Sequence, residues 1–133
     1  QLVVICVHRK DPASRAKSVE HLRNYLKKGI SILIYPEGTF NMGKTALSQF
    51  YNGAFRLAIE TQTPIKPLLF LDAYDRMHYD TVFSMNPGIS RAIYLDEIPV
   101  TGLTLDDVET LKEQVYRTME NHLHQLKATW IRP

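Results

Sequence analysis

Apolar and polar positions divide the chain into blocks. Leu2-Val3-Val4-Ile5-Cys6-Val7 is a continuous apolar run and predicts a strand over about residues 2 to 8, ending in His8-Arg9-Lys10. Asp11-Pro12 then reads as a helix start, with Asp as N-cap and Pro in the first helical position. The predicted helix runs to about Lys28, with Val19, Leu22 and Leu26 on its apolar side, and Gly29 suits the position just past its end. Ile30-Ser31-Ile32-Leu33-Ile34-Tyr35 has the β-branched, apolar composition of a strand buried on both faces, and it stops at Pro36. Strand, helix and strand with short joints predict a right-handed βαβ unit and a parallel pair.

The second half continues the alternation. A polar loop over residues 41 to 47 leads to a predicted helix from Ser48 to Thr61, with Phe50, Ala54, Leu57 and Ala58 inward and Gly53 permitting a close crossing. Thr63-Pro64 breaks it, and residues 65 to 71 predict a third strand, irregular at Lys66-Pro67. Residues 72 to 88, rich in Asp, Tyr and Met, carry only a turn signal at Asn86-Pro87-Gly88, and residues 89 to 98 alternate as a strand. Thr104 with Asp107 resembles a capping box, and Leu105, Val108, Leu111, Val115, Met119, Leu123 and Leu126 form a helical stripe. The expected fold class is α/β, a largely parallel, mixed sheet flanked by helices.

Composition narrows this little. The chain has 133 residues, 44% hydrophobic, and a formal charge of +2 from 16 basic and 14 acidic side chains. That supports one domain and gives no reason to expect nucleic acid as a partner. Cys6 is the single cysteine and reads as a small buried hydrophobe. No apolar run approaches the roughly 20 residues of a spanning helix. The chain opens inside a predicted strand, which reads as the carboxyl-terminal part, residues 1 to 133, of a larger single domain.

Candidate chemistry gathers after the Ile30–Tyr35 run. In open α/β sheets ligands bind beyond the carboxyl ends of strands, which places Glu37, Gly38 and Thr39 at a candidate site. Four stretches resemble the glycerol-3-phosphate and 1-acylglycerol-3-phosphate acyltransferases. Tyr35-Pro36-Glu37-Gly38-Thr39-Phe40 is similar to that family's Phe-Pro-Glu-Gly-Thr-Arg block, and Ile5-Cys6-Val7-His8-Arg9 to the strand ending in Asp-Arg. Thr63-Pro64-Ile65-Lys66-Pro67 resembles its Val-Pro-Ile-Val-Pro block, and residues 50 to 58 resemble the intervening helix. The family's first block, His-x4-Asp, is absent, since none of His8, His21, His78, His122 and His124 has an Asp five positions on.

The resemblance implies acyl transfer from a thioester, on coenzyme A or acyl carrier protein, to a glycerolipid hydroxyl such as that of 1-acylglycerol-3-phosphate. It implies no metal and no cofactor beyond that co-substrate. Glu37, Gly38 and Thr39 are then the catalytic candidates, with backbone N–H groups near Gly38 and Thr39 as oxyanion donors. Arg9, Glu37, Phe40, Lys44 and Pro64 become the substrate-binding candidates, Arg9 for the acceptor phosphate. Phe40 departs from the family's arginine, and Lys44 is the nearest replacement cation in the loop. A chain lacking the histidine base is expected to be inactive alone. The lipid acceptor implies a place on the cytoplasmic face of a membrane, reached through parts outside this chain. The alternative is a non-catalytic lipid- or acyl-carrier-binding protein on the same scaffold. An unrelated phosphate-binding domain is disfavoured, because neither G-x-x-x-x-G-K-[ST] nor G-x-G-x-x-G occurs.

Overall fold

The structure is a computed structural model describing residues 12–39, 41, 45–76, 85–128 and 131. The predicted first strand, the Asp11 cap, His8, Arg9, Phe40 and Lys44 lie outside the described residues. The chain divides into two compact units, residues 1–34 and 35–133.

In the first unit, helix α1 spans Pro12–Lys27. It ends as its sequence requires: Gly29 takes φ +74°, its N–H donates to the Leu26 carbonyl at 2.9 Å, and Ile30 N–H donates to that of Tyr25 at 3.1 Å. A left-handed residue that turns back onto the last carbonyls favours glycine. The predicted apolar side is only partly covered, with Leu22 and Leu26 half-buried and Val19 exposed.

The run after this cap departs from expectation. Residues 30–35 form no strand, and Ile30, Leu33, Ile34 and Tyr35 are exposed. Strand propensity is only a preference for a pleated, partnered surface. No described strand pairs with this run, so the predicted parallel βαβ pair is not formed among the described residues.

The second unit holds the core. Helix α2 spans Gly53–Thr61, strand β1 Leu68–Phe70, the short helix α3 Ala73–Arg76, strand β2 Ala92–Tyr94, and helix α4 Val108–Gln125 after a 3-10 turn over Leu105–Asp107. The described sheet is antiparallel, pairing Leu68 with Tyr94, Leu69 with Ile93 and Phe70 with Ala92, and a further bridge joins Ile65 to Ile98. The protein is therefore α/β in composition, while the described pairing is antiparallel.

Helix α2 starts five residues later than predicted. Ser48 N–H and Tyr51 N–H are held from outside, by Glu37 Oε2 at 2.6 Å and the Pro36 carbonyl at 2.9 Å, and the residues between them stay non-helical. No close crossing is made at Gly53 among the described residues, since a Cβ built there meets nothing within 4 Å. Phe55, Leu57, Ala58 and Ile59 are the buried residues of α2. The helix stops at Gln62, left-handed at φ 49°, ahead of Thr63-Pro64.

At α4, Thr104 and Asp107 close the predicted capping box, the Asp107 carboxylate accepting Thr104 N–H at 2.8 Å and its O–H at 3.0 Å. Val108, Leu111, Val115 and Leu123 carry the stripe into the core beside Phe50, Phe55, Leu69 and Leu71, each contributing about 2 kcal/mol of burial. Leu105 and Leu126, at the ends of the stripe, are exposed. Among the described residues no helix is long and apolar enough to cross a membrane.

Candidate functional site

The candidate site is a turn, Tyr35-Pro36-Glu37-Gly38, closed by Gly38 N–H donating to the Tyr35 carbonyl at 3.1 Å. Gly38 has φ +66°, a conformation open to glycine at little cost. That hydrogen bond also removes Gly38 N–H from the oxyanion donors expected here. Thr39 is exposed, and its N–H is not used in the turn by any described residue.

Glu37 is half-buried. Its Oε2 accepts the Ser48 amide at 2.6 Å, across 11 residues of chain. Among the described residues, Oε1 accepts no hydrogen bond and forms no ion pair. Glu37 is thus tied to Ser48 and Pro36 to Tyr51. Thr45 Oγ1 donates to the Leu47 carbonyl at 3.1 Å, and Asn41 Nδ2 to that of Thr45 at 2.9 Å.

Behind the loop stands α4. Tyr116 O–H donates to the Leu47 carbonyl at 3.2 Å, and its ring meets Phe50 edge-on with centroids 5.1 Å apart. Burial raises the Tyr116 phenol above its ordinary pKa, and the nearby carboxylates of Glu120 and Glu37 add to the rise. On the other side of the turn, Tyr35 stacks on Phe70 of β1 at 6.4 Å.

The predicted residues do not all meet. Glu37, Gly38 and Thr39 share the turn. Pro64 is exposed and lies past the far end of α2, a helix about 13 Å long whose near end is joined to Pro36 through Tyr51. Arg9, Phe40 and Lys44 are not among the described residues. Ser48 and Tyr116 were missed from sequence. The available signal was an aromatic residue with a polar tip flanking the α4 stripe beside Val115.

A second carboxylate was also missed. Asp72, buried just beyond β1, accepts Arg91 Nη2 at 2.7 Å on Oδ1, and Arg91 Nε at 2.9 Å and Arg91 backbone N–H at 2.8 Å on Oδ2. These bonds hold its pKa down to about 2. They tie the residue just past the end of β1 to the one just before β2. In the chain between them the Arg76 guanidinium reaches the Pro87 carbonyl at 2.7 Å, passing where a Cβ on Gly88 would stand.

The described fold defines an α/β protein with a turn-borne, incompletely paired carboxylate. Comparison with known proteins narrows that class. The sequence profile of the family described as Acyltransferase matches residues 1–71, more than half of the chain and including the turn. The chain belongs to the acyltransferase family. It is 32% identical to an uncharacterized acyltransferase of Schizosaccharomyces pombe over 112 residues, 84% of this chain and 39% of that protein. It is 29% identical to 1-acyl-sn-glycerol-3-phosphate acyltransferase alpha of Homo sapiens over 117 residues, 87% of this chain and 41% of the human protein. The 1-acyl-sn-glycerol-3-phosphate acyltransferase of Haemophilus influenzae is 30% identical over 104 residues, 78% of this chain and 42% of the bacterial one. The chain spans about two fifths of the length of these relatives. No solved structure gives a significant match.

Proposed function

We propose that the full protein transfers an acyl group from a thioester, on coenzyme A or acyl carrier protein, to the free hydroxyl of 1-acylglycerol-3-phosphate, forming phosphatidate for phospholipid synthesis. The hydroxyl oxygen attacks the thioester carbonyl, the C–S bond breaks as the ester C–O bond forms, and the thiol leaves. An alcohol needs a base at neutral pH. That base belongs to a His-x4-Asp block outside residues 1–133, so this stretch alone is inactive. The acceptor is met at the cytoplasmic face of a membrane, and in the whole domain the Ile30–Tyr35 run joins a larger, mostly parallel sheet.

One observation supports the reading: among the described residues Glu37 is held through Oε2 and nothing donates to Oε1, inside the stretch that matches the family. Oε1 receives an acceptor hydroxyl or a neighbouring cation. Arg9 pairs with the acceptor phosphate, Phe40 and Pro64 line the lipid side, and Lys44 supplies charge from the loop. The test is transfer of a radiolabelled acyl group by full-length protein to a panel of lysolipids. Transfer to 1-acylglycerol-3-phosphate is the expected result. A folded protein that binds lysolipid without transferring to any of them is a binding protein, and the enzymatic reading falls.

A further inference from the structure

The Leu47–Ser48 peptide group is held on both sides by side chains far apart in sequence. Its carbonyl accepts Tyr116 O–H at 3.2 Å beside the local Thr45 O–H at 3.1 Å, and its N–H donates to Glu37 Oε2 at 2.6 Å. A trans peptide directs these two groups in opposite directions, so hydroxyl and carboxylate grip one plane from either side. We infer that Tyr116 is a positioning residue for Glu37, acting through this shared peptide. The inference rests on Glu37 binding the acceptor.

Three features support the relay. A donor on the carbonyl draws electron density from the amide and strengthens the bond its N–H makes to a carboxylate. The Tyr116 ring is fixed against Phe50 and α4 sets Val108, Leu111, Val115 and Leu123 in the core, so the hydroxyl is a rigid point of reference. Burial keeps the phenol protonated, as a donor must be. Without the hydroxyl, the Leu47 carbonyl keeps only Thr45 Oγ1, at 3.1 Å from a residue two positions away in the same stretch, so the peptide loses its tie to α4 and the Glu37 carboxylate moves with it.

The experiment measures KM for 1-acylglycerol-3-phosphate and for the acyl thioester in full-length protein, Tyr116→Phe, Glu37→Ala and the double variant. Phenylalanine retains the ring and its packing, and a melting curve establishes folding for each protein. Tyr116→Phe is expected to raise acceptor KM about fivefold and leave donor KM unchanged. In the Glu37→Ala background the same change should have no further effect on acceptor KM. An unchanged acceptor KM in Tyr116→Phe, an equal rise in both KM values, or an undiminished effect without Glu37 overturns the inference and leaves Tyr116 as packing. If Glu37→Ala itself has the wild-type acceptor KM, the acceptor reading fails and this inference with it. A raised KM in Glu37→Ala beside a silent Tyr116→Phe sinks the relay alone.

Discussion

Glu37 and Asp72 are carboxylates in similar local sequence, each following an apolar run, yet their surroundings differ. Asp72 is buried and both its oxygens are occupied by Arg91, through guanidinium and backbone. Glu37 is half-buried and, among the described residues, accepts one backbone N–H on one oxygen. A buried carboxylate engaged on both oxygens by one arginine ties two segments together and offers little to a ligand. A carboxylate fixed through one oxygen is oriented and keeps the other for binding. Hydrogen-bond accounting thus separates two acids that composition treats alike.

The comparison is tested first by activity. Glu37→Ala in full-length protein should lower kcat/KM for acyl transfer on the order of 100-fold, as loss of a charge-assisted contact to substrate does. Glu37→Gln retains an oxygen for Ser48 N–H, so its expected loss is about tenfold with the melting temperature nearly unchanged. Asp72→Ala should do the reverse, lowering the melting temperature on the order of 5 °C while the folded fraction keeps its acceptor KM. An activity defect in Asp72→Ala that exceeds its loss of folded protein would erase the distinction.

Acid sharpens it further. Arg91 depresses the folded-state pKa of Asp72 to about 2 from an ordinary 3.8, so its stabilisation is complete above the unfolded value and disappears as pH falls through the folded one. The melting temperature should lose this contribution between about pH 4 and pH 2, and Asp72→Asn should flatten that part of the curve. At Gly38, φ +66° predicts that Gly38→Ala costs about 1 kcal/mol and re-aims Glu37, with a visible drop in activity. The smallest effect is expected at Thr104→Ala, about 1 kcal/mol from a weakened cap and no change in acceptor KM. Equilibrium unfolding measures both.

What could be read from sequence was what depends on neighbours in the chain. The Gly29 cap, the Thr63-Pro64 break, the Thr104–Asp107 box and the α4 stripe all follow from residues within a turn or two of each other. Ile30–Tyr35 forms no strand among the described residues because a strand is completed by a partner, and its composition cannot supply one. The start of α2 moved because Glu37 and Pro36 hold amides at Ser48 and Tyr51 that a longer helix would enclose. Asp72 with Arg91 and Leu47 with Tyr116 are contacts across 19 and 69 residues, and no local spacing announces them. Glu37 was legible as a candidate because it stands in a recognisable block. That it is also tied to Ser48 was not.

The most direct trial is radiolabelled acyl transfer to 1-acylglycerol-3-phosphate by full-length protein, Glu37→Gln and Asp72→Ala, each normalised to folded material. Loss of rate in Glu37→Gln with a parental rate in Asp72→Ala is the outcome expected of one open and one saturated carboxylate. Parental turnover in Glu37→Gln would contradict it, and Glu37 would be left as a tie to Ser48.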